Sequence, residues 1–225
     1  MQQPQMIEQG VFDIPLLLTP ALEPQRTQLR AVLVEAQRRL KKFASAHGWL
    51  EHMLAPFAIQ ARVFEVKAQF DHDLLELAGM DTSIELPKTY CAALEQQVLV
   101  SVSPELYAEL YPEGDEPHAF EKLLAHEMAH RLHIRILNGD EERMGPIWFY
   151  EGFALYAADQ FEGFLPVLSA AQLWETVQTE ERIDYRRYAA AFRYFSQQAP
   201  LQQLVEKAGD AGFHDWLRNI PGTGI

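Results

Sequence analysis

Ala119-Phe120-Glu121-Lys122-Leu123-Leu124-Ala125-His126-Glu127-Met128-Ala129-His130-Arg131-Leu132-His133-Ile134-Arg135-Ile136-Leu137 is the stretch that decides the fold. It contains neither proline nor glycine and is rich in Ala, Leu, Glu, Lys and Arg, all good helix formers. Asn138-Gly139 then ends it, as expected of a helix C-terminus. Ala125, Met128, Ala129, Leu132 and Ile136 recur at i, i+3, i+4, i+7 and i+11, which makes one apolar stripe for a core. His126 and His130 lie off that stripe, four residues apart and so on one face. Both imidazoles can reach a single ion, and Glu127, turned away from the stripe, can take a proton from water held there. The stretch predicts a cleft-lining helix with the pattern of a zinc hydrolase.

A catalytic zinc needs a third protein ligand and an open position. His133 continues the histidine face, but a third ligand from the same straight helix lies too far along the axis. The elongated zincin pattern places a glycine three residues after the second histidine and another histidine beyond it. Here His133 and Ile136 hold those positions, so that pattern is not met. Asp140, Glu141 and Glu142 read either as ligands or as a solvated acidic loop. The better candidate is Glu151, in Pro146-Ile147-Trp148-Phe149-Tyr150-Glu151-Gly152-Phe153-Ala154-Leu155-Tyr156, where Gly145-Pro146 suits a helix start. Twenty residues lie between His130 and Glu151. They suffice for two more helical turns, a short acidic loop and the first turn of an antiparallel second helix, which brings Glu151 level with the histidines.

With both segments in view, the chain resembles the gluzincin metallopeptidases, which include thermolysin-like and aminopeptidase N-like enzymes. In the aminopeptidase-like branch the HExxH helix is followed, after a similar gap, by a helix reading approximately W-L-x-E-G-F-A-x-Y, and 148–156 match it closely. Tyr150 stands where an asparagine commonly precedes the ligand glutamate. Leu155 stands where thermolysin-like enzymes carry an aspartate that orients a ligating histidine. The resemblance implies a zinc peptidase with His126, His130 and Glu151 on the metal and Glu127 as general base. It also implies a small twisted sheet above the metal helix. Tyr185, which begins Tyr185-Arg186-Arg187-Tyr188-Ala189-Ala190-Ala191-Phe192-Arg193-Tyr194-Phe195, aligns with the tyrosine that hydrogen-bonds the tetrahedral intermediate. Tyr188 and Tyr194 are neighbouring alternatives, and aromatics at this spacing also read as a core stripe. The departures at Tyr150 and Leu155 also permit a zinc-binding module without peptidase activity, although a purely structural site has no use for Glu127.

Composition narrows the partners. At 225 residues and 48% hydrophobic, the chain can bury a sizeable core without disulfides. Its one cysteine, Cys91, reads as a small buried hydrophobe. A net charge of −13 argues against nucleic acid and anionic lipid and favours basic or neutral substrates, and the resemblance implies a peptide or protein as the partner. The apolar run at 11–18 is short and interrupted by Asp13 and Pro15, so no membrane span is expected. Met1-Gln2-Gln3-Pro4-Gln5 lacks the basic head and apolar segment of a secretory signal. The expected location is cytoplasmic, or outside the cell if a leader has been removed.

Along the chain, 12–19 reads as a strand or extended arm, 25–46 as a long helix, 58–69 as a strand and 96–102 as the clearest strand, ended by Ser103-Pro104. That last strand is either an ordinary core strand or the sheet edge on which an extended substrate pairs. From Ala119 onward the chain reads as helix, broken near 139–145, 163–166, 199–200 and 209–212. The order predicts an α+β, zincin-like fold in a single domain, with a mixed lobe at about 1–118 and a helical lobe at about 119–225. His47, His52, His72, His118 and His214 lack ligand-spaced partners and read as surface or capping residues. His133 reads as a solvated position, or as a group lining the cleft or supporting the ligands.

Overall fold

Alternating and helical patterning segregate along this chain, and the computed structural model follows that division. It describes residues 3–114 and 116–220; Met1 and Gln2, read above for a secretory signal, lie outside them. A hairpin of β1 (Gln5–Glu8) and β2 (Val11–Asp13) opens the fold. β3 (Leu16–Leu18) follows Pro15 into a second sheet, so the strand expected at 12–19 is two short strands serving different sheets. Proline has no N–H to continue a ladder, which explains the switch at that point. The helix α1 (Arg26–Ala46) matches the expectation for 25–46. Its buried Gln37 is bonded to both backbone groups of Phe12, at 2.9 Å each, which ties the hairpin to the helix.

β4 (Gln60–Phe64), α2 (Lys67–Leu77), β5 (Ala92–Glu95), β6 (Val98–Val102) and the short α3 (Pro104–Leu110) complete the mixed half. The strand expected at 58–69 stops at Phe64, and Phe70 is buried with Leu74 and Leu75 on a helix. Its spacing to those leucines is helical, and it should be counted with them and not with Val63. The four-stranded sheet has the order β3-β4-β6-β5, with β3, β4 and β6 parallel and β5 antiparallel to β6. β6 is therefore an interior strand, buried along its whole length, and the edge reading of 96–102 is corrected. The edges are β3 and β5, and β5 packs beside the long helix that follows. Gln96 and Gln97 form the two-residue turn between β5 and β6, both with positive φ (46° and 64°). Such turns usually announce themselves as Asn-Gly, and this one does not.

The helical half comprises α4 (Ala119–Ile136), α5 (Ile147–Ala157), α6 (Ala170–Gln178), α7 (Tyr185–Ser196), α8 (Leu201–Lys207) and α9 (Phe213–Arg218). The expected breaks all fall between helices; the one at 179–184 was not expected. α4 is fixed at both ends. Near its start Arg39 pairs with Glu121 (2.7 Å) and Lys122 pairs with Glu116. Near its end Arg135 donates to the carbonyls of His52, Ala55 and Pro56, at 2.7–2.9 Å, and covers the Phe57 ring. α5 buries Trp148, Phe149, Phe153, Ala154 and Leu155 between α4 and α7. Gly152 makes that approach possible, since a Cβ there would lie 2.7 Å from Phe192 Cβ. The result is an α+β arrangement whose hydrophobic cluster runs from Phe12 to Ile220 through both halves. Among the described residues no helix is long and apolar enough to cross a membrane.

Candidate metal centre

Two turns of α4 and one residue of α5 make the centre. His126 and His130 lie one turn apart with ring centroids 4.7 Å from each other, and Glu151 reaches them from α5. His126 Nε2 lies 3.2 Å from Glu151 Oε2 and 3.1 Å from His130 Nε2, and His130 Nε2 lies 3.6 Å from Glu151 Oε2. A tetrahedral ion with bonds of about 2.0–2.1 Å to nitrogen and oxygen holds its ligand atoms about 3.3 Å apart. The three measured separations bracket that value, so the residues present fit a small divalent cation. His126 and Glu151 are buried (5% and 3% exposed), while His130 stays partly open to the cleft. Among the described residues this is the only grouping of three such side chains.

α5 packs along α4, with Tyr150 beside His130 and Phe149 beside His133. Glu151 faces the histidines, and Phe153, further along α5, stacks on His133, further along α4, at 4.3 Å and 21°. His133 is thus fully buried, against the expectation of a solvated position, and neither ring nitrogen has a hydrogen-bond partner. Burial pushes its pKa down to about 3, which keeps the ring neutral. Asp140, Glu141 and Glu142 stay outside the centre; Glu141 pairs at the surface with Arg131 (3.6 Å). None of His47, His52, His72, His118 and His214 is buried or joins the centre, and Cys91 is buried as expected, its thiol pushed up to about 11 by that burial.

Glu127 borders the cleft beside His130. Burial raises its pKa to about 7, with His126 opposing the rise and Glu151 adding to it. Glu151 behaves in the opposite way: burial alone would raise it, but hydrogen bonds from His126 and His130 hold it well below the usual carboxylate range. Neighbouring carboxylates are thereby driven apart, one proton-accepting near neutrality and one permanently anionic.

Of the three candidate tyrosines only Tyr185 reaches the centre, its hydroxyl donating to Glu151 Oε1 at 3.4 Å. Tyr188 is fully buried; its hydroxyl accepts from Ile183 N (3.0 Å) and donates to Glu181 O (2.9 Å), so it pins the preceding loop. Tyr194 packs against Phe195 and lines a separate surface hollow. That pinned loop carries Arg182, which sequence reasoning missed. Its guanidinium lies 3.0 Å from Glu151 Oε1 and donates to the Tyr185 hydroxyl. Nothing in Glu180-Glu181-Arg182-Ile183-Asp184 distinguishes this arginine from a solvated charge, because the helix break that exposes it has neither glycine nor proline.

Gln160 is the other residue missed. With Leu155 packed in the core, no side chain four residues after Glu151 can orient a histidine. Gln160 stands beside His126 instead, in the turn after α5, and Gln160 Oε1 and His126 Nδ1 are both buried with no hydrogen-bond partner. An amide oxygen there suits the protonated Nδ1 that leaves Nε2 free to bind a metal.

What the centre can do follows from its own residues: three ligands for one ion, a carboxylate beside the open face, and a hydroxyl and a guanidinium on the far oxygen of the third ligand. Comparison with known proteins finds no family model, curated protein or solved structure that matches the chain.

Proposed function

We propose that this protein is a zinc-dependent peptidase of the gluzincin type with a zincin-like fold. His126, His130 and Glu151 are the metal ligands, Glu127 is the general base and Tyr185 is the oxyanion donor. The observation that carries the reading is the triangle of ligand atoms at 3.1, 3.2 and 3.6 Å with Glu127 beside its open side. Two imidazoles and a carboxylate are the ligand set of hydrolytic zinc sites. Zinc, when bound, acidifies water and polarises a carbonyl.

The remaining chemistry belongs to the chain. A carboxylate Oε of Glu127 accepts the proton of the attacking water and returns it to the departing amine. The Tyr185 hydroxyl, kept at the centre by Arg182 and Glu151, donates to the carbonyl oxygen as it gains charge. The free edge of β5 beside α4 offers backbone groups to an extended peptide.

Metal analysis and mutagenesis test the proposal together. Protein purified without chelator is expected to hold about one zinc per chain, and Glu151→Ala is expected to lose it. Glu127→Gln should keep both zinc and fold while peptide cleavage drops roughly 10²- to 10⁴-fold. Undiminished zinc in Glu151→Ala would move the third ligand elsewhere. Zinc-loaded wild type and Glu127→Gln proving equally inert on a broad peptide library would leave a zinc-binding module.

A further inference from the structure

Beside Glu127 and His130 the cleft widens into a hollow of about 450 Å³. Its walls are apolar: Leu74 and Leu75 of α2, Ala78 just past it, Met80 and Leu86 of the connection to β5, and Leu94 of β5 itself. Ile134 of α4 closes the floor. The same connection leaves Met80, Ile84 and Tyr90 between 38% and 52% exposed, an uncommon cost for a surface segment with no role. Glu95, Glu127, Arg131 and Glu141 also line the hollow, and Arg131 pairs with Glu141 (3.6 Å) and reaches the Leu94 carbonyl (3.5 Å). The size lies within the range of pockets that enclose small ligands.

We infer that this hollow is a specificity pocket for a bulky aliphatic or aromatic side chain of the substrate, on a residue flanking the cleaved bond. The inference rests on the peptidase reading, because the groups at the inner end of the hollow are the general base and a metal ligand. An extended peptide lying along β5 must send alternate side chains towards α4 or away from it. A side chain directed inward between β5 and α4 meets α2 and the connection to β5, where carbon atoms form the walls. Leucine, phenylalanine or methionine fits inside that volume, whereas an acidic side chain there would lose its hydration and meet Glu95, Glu127 and Glu141.

The test measures both binding and cleavage. Labelled peptides differing only in one side chain (Leu, Phe, Lys, Asp or Gly) are titrated by fluorescence anisotropy against zinc-loaded Glu127→Gln, and the same peptides are offered to zinc-loaded wild type. Leu and Phe are expected to bind about 10- to 150-fold tighter than Gly, the range for burying one such side chain. Ala78→Phe, at an exposed position that lines the hollow, should erase that preference and leave the Gly peptide unaffected. Met80→Lys, at the mouth, should reduce it without altering the fold measured by circular dichroism. Equal binding of all five peptides, a preference for Lys, or an undiminished preference in both variants would overturn the pocket. Cleavage without side-chain preference would remove the pocket and keep the peptidase; a Leu and Phe preference in binding with no cleavage by wild type would do the reverse.

Discussion

His133 carries a stability cost that the surrounding residues do not relieve. Its ring is enclosed by Phe149 and Phe153, and both nitrogens lack partners. The unfolded chain takes up a proton at this residue below about pH 6.5, whereas the native ring resists until about pH 3. Its contribution is therefore complete above pH 6.5 and is lost, by about 1.4 kcal/mol per pH unit, as the pH falls towards 3. His133→Phe should remove that slope and, at pH 7, be neutral or more stable by about 1 kcal/mol, since two buried nitrogens disappear. Urea midpoints of both proteins at pH 7 and pH 5 check this; equal losses on acidification would refute it. Tyr185 and Tyr188, three residues apart, separate rate from stability in the same way. Tyr185→Phe removes the proposed oxyanion donor together with its hydrogen bond to Glu151, so kcat should fall roughly 10²- to 10³-fold with KM little changed. Tyr188→Phe breaks two hydrogen bonds to the Glu181–Ile183 backbone and should cost about 1–3 kcal/mol of stability, with a smaller rate effect through the loosened Arg182. A rate loss confined to Tyr188→Phe would exchange the two roles.

The turn after α5 is the element that most depends on its surroundings. Asp159 and Phe161 both have positive φ (54° and 59°), a backbone region a bulky side chain rarely enters. Arg39 holds Asp159 at 2.9 Å, and Glu116, itself paired with Lys122, accepts the Phe161 N–H at 3.0 Å. Gln160 is thereby carried between two clamped residues to His126. Gln160→Leu should weaken zinc binding about 10- to 100-fold in competition with a chelator while the fold is retained; unchanged affinity would show that His126 is oriented by something else. This turn also shows where the sequence stops being legible. α4 can be read because it concentrates helix formers, an apolar stripe and a chemical motif in fewer than twenty residues, and α5 because Gly145-Pro146 marks its start and 148–156 carry the resemblance, while the gap between them admits few closures. Gln160, Arg182 and β5 cannot. Gln160 and Arg182 owe their positions to contacts with Arg39, Glu116 and Tyr188, distant in sequence or across a helix break without glycine or proline, and β5 leads into a turn written Gln-Gln. Such positions are set by tertiary contacts that override local propensity.

At the scale of the molecule, one hydrophobic cluster spans the mixed and helical halves, so the cleft walls from α2 and β5 share a core with the helices that carry His126, His130 and Glu151. Around that cleft lies a chain of net charge −13. Such a surface holds a negative potential that extends about 10 Å at 0.1 M salt and only about 3 Å at 1 M. Peptides sharing one apolar residue for the pocket but flanked by lysines or by glutamates should therefore differ in association rate by roughly tenfold or more at low salt, the lysine-flanked peptide being faster. Raising the salt to 1 M should bring the two rates close together while leaving the preference for the apolar residue intact, because burial of carbon is not screened. Stopped-flow anisotropy on zinc-loaded Glu127→Gln measures both quantities. A lysine preference that survives 1 M salt would mean that the cation is held by direct contact, with Glu95 and Glu141, which line the hollow, the carboxylates to replace first. Equal rates at low salt would mean that Arg131 and Arg182 cancel the global field where the peptide enters.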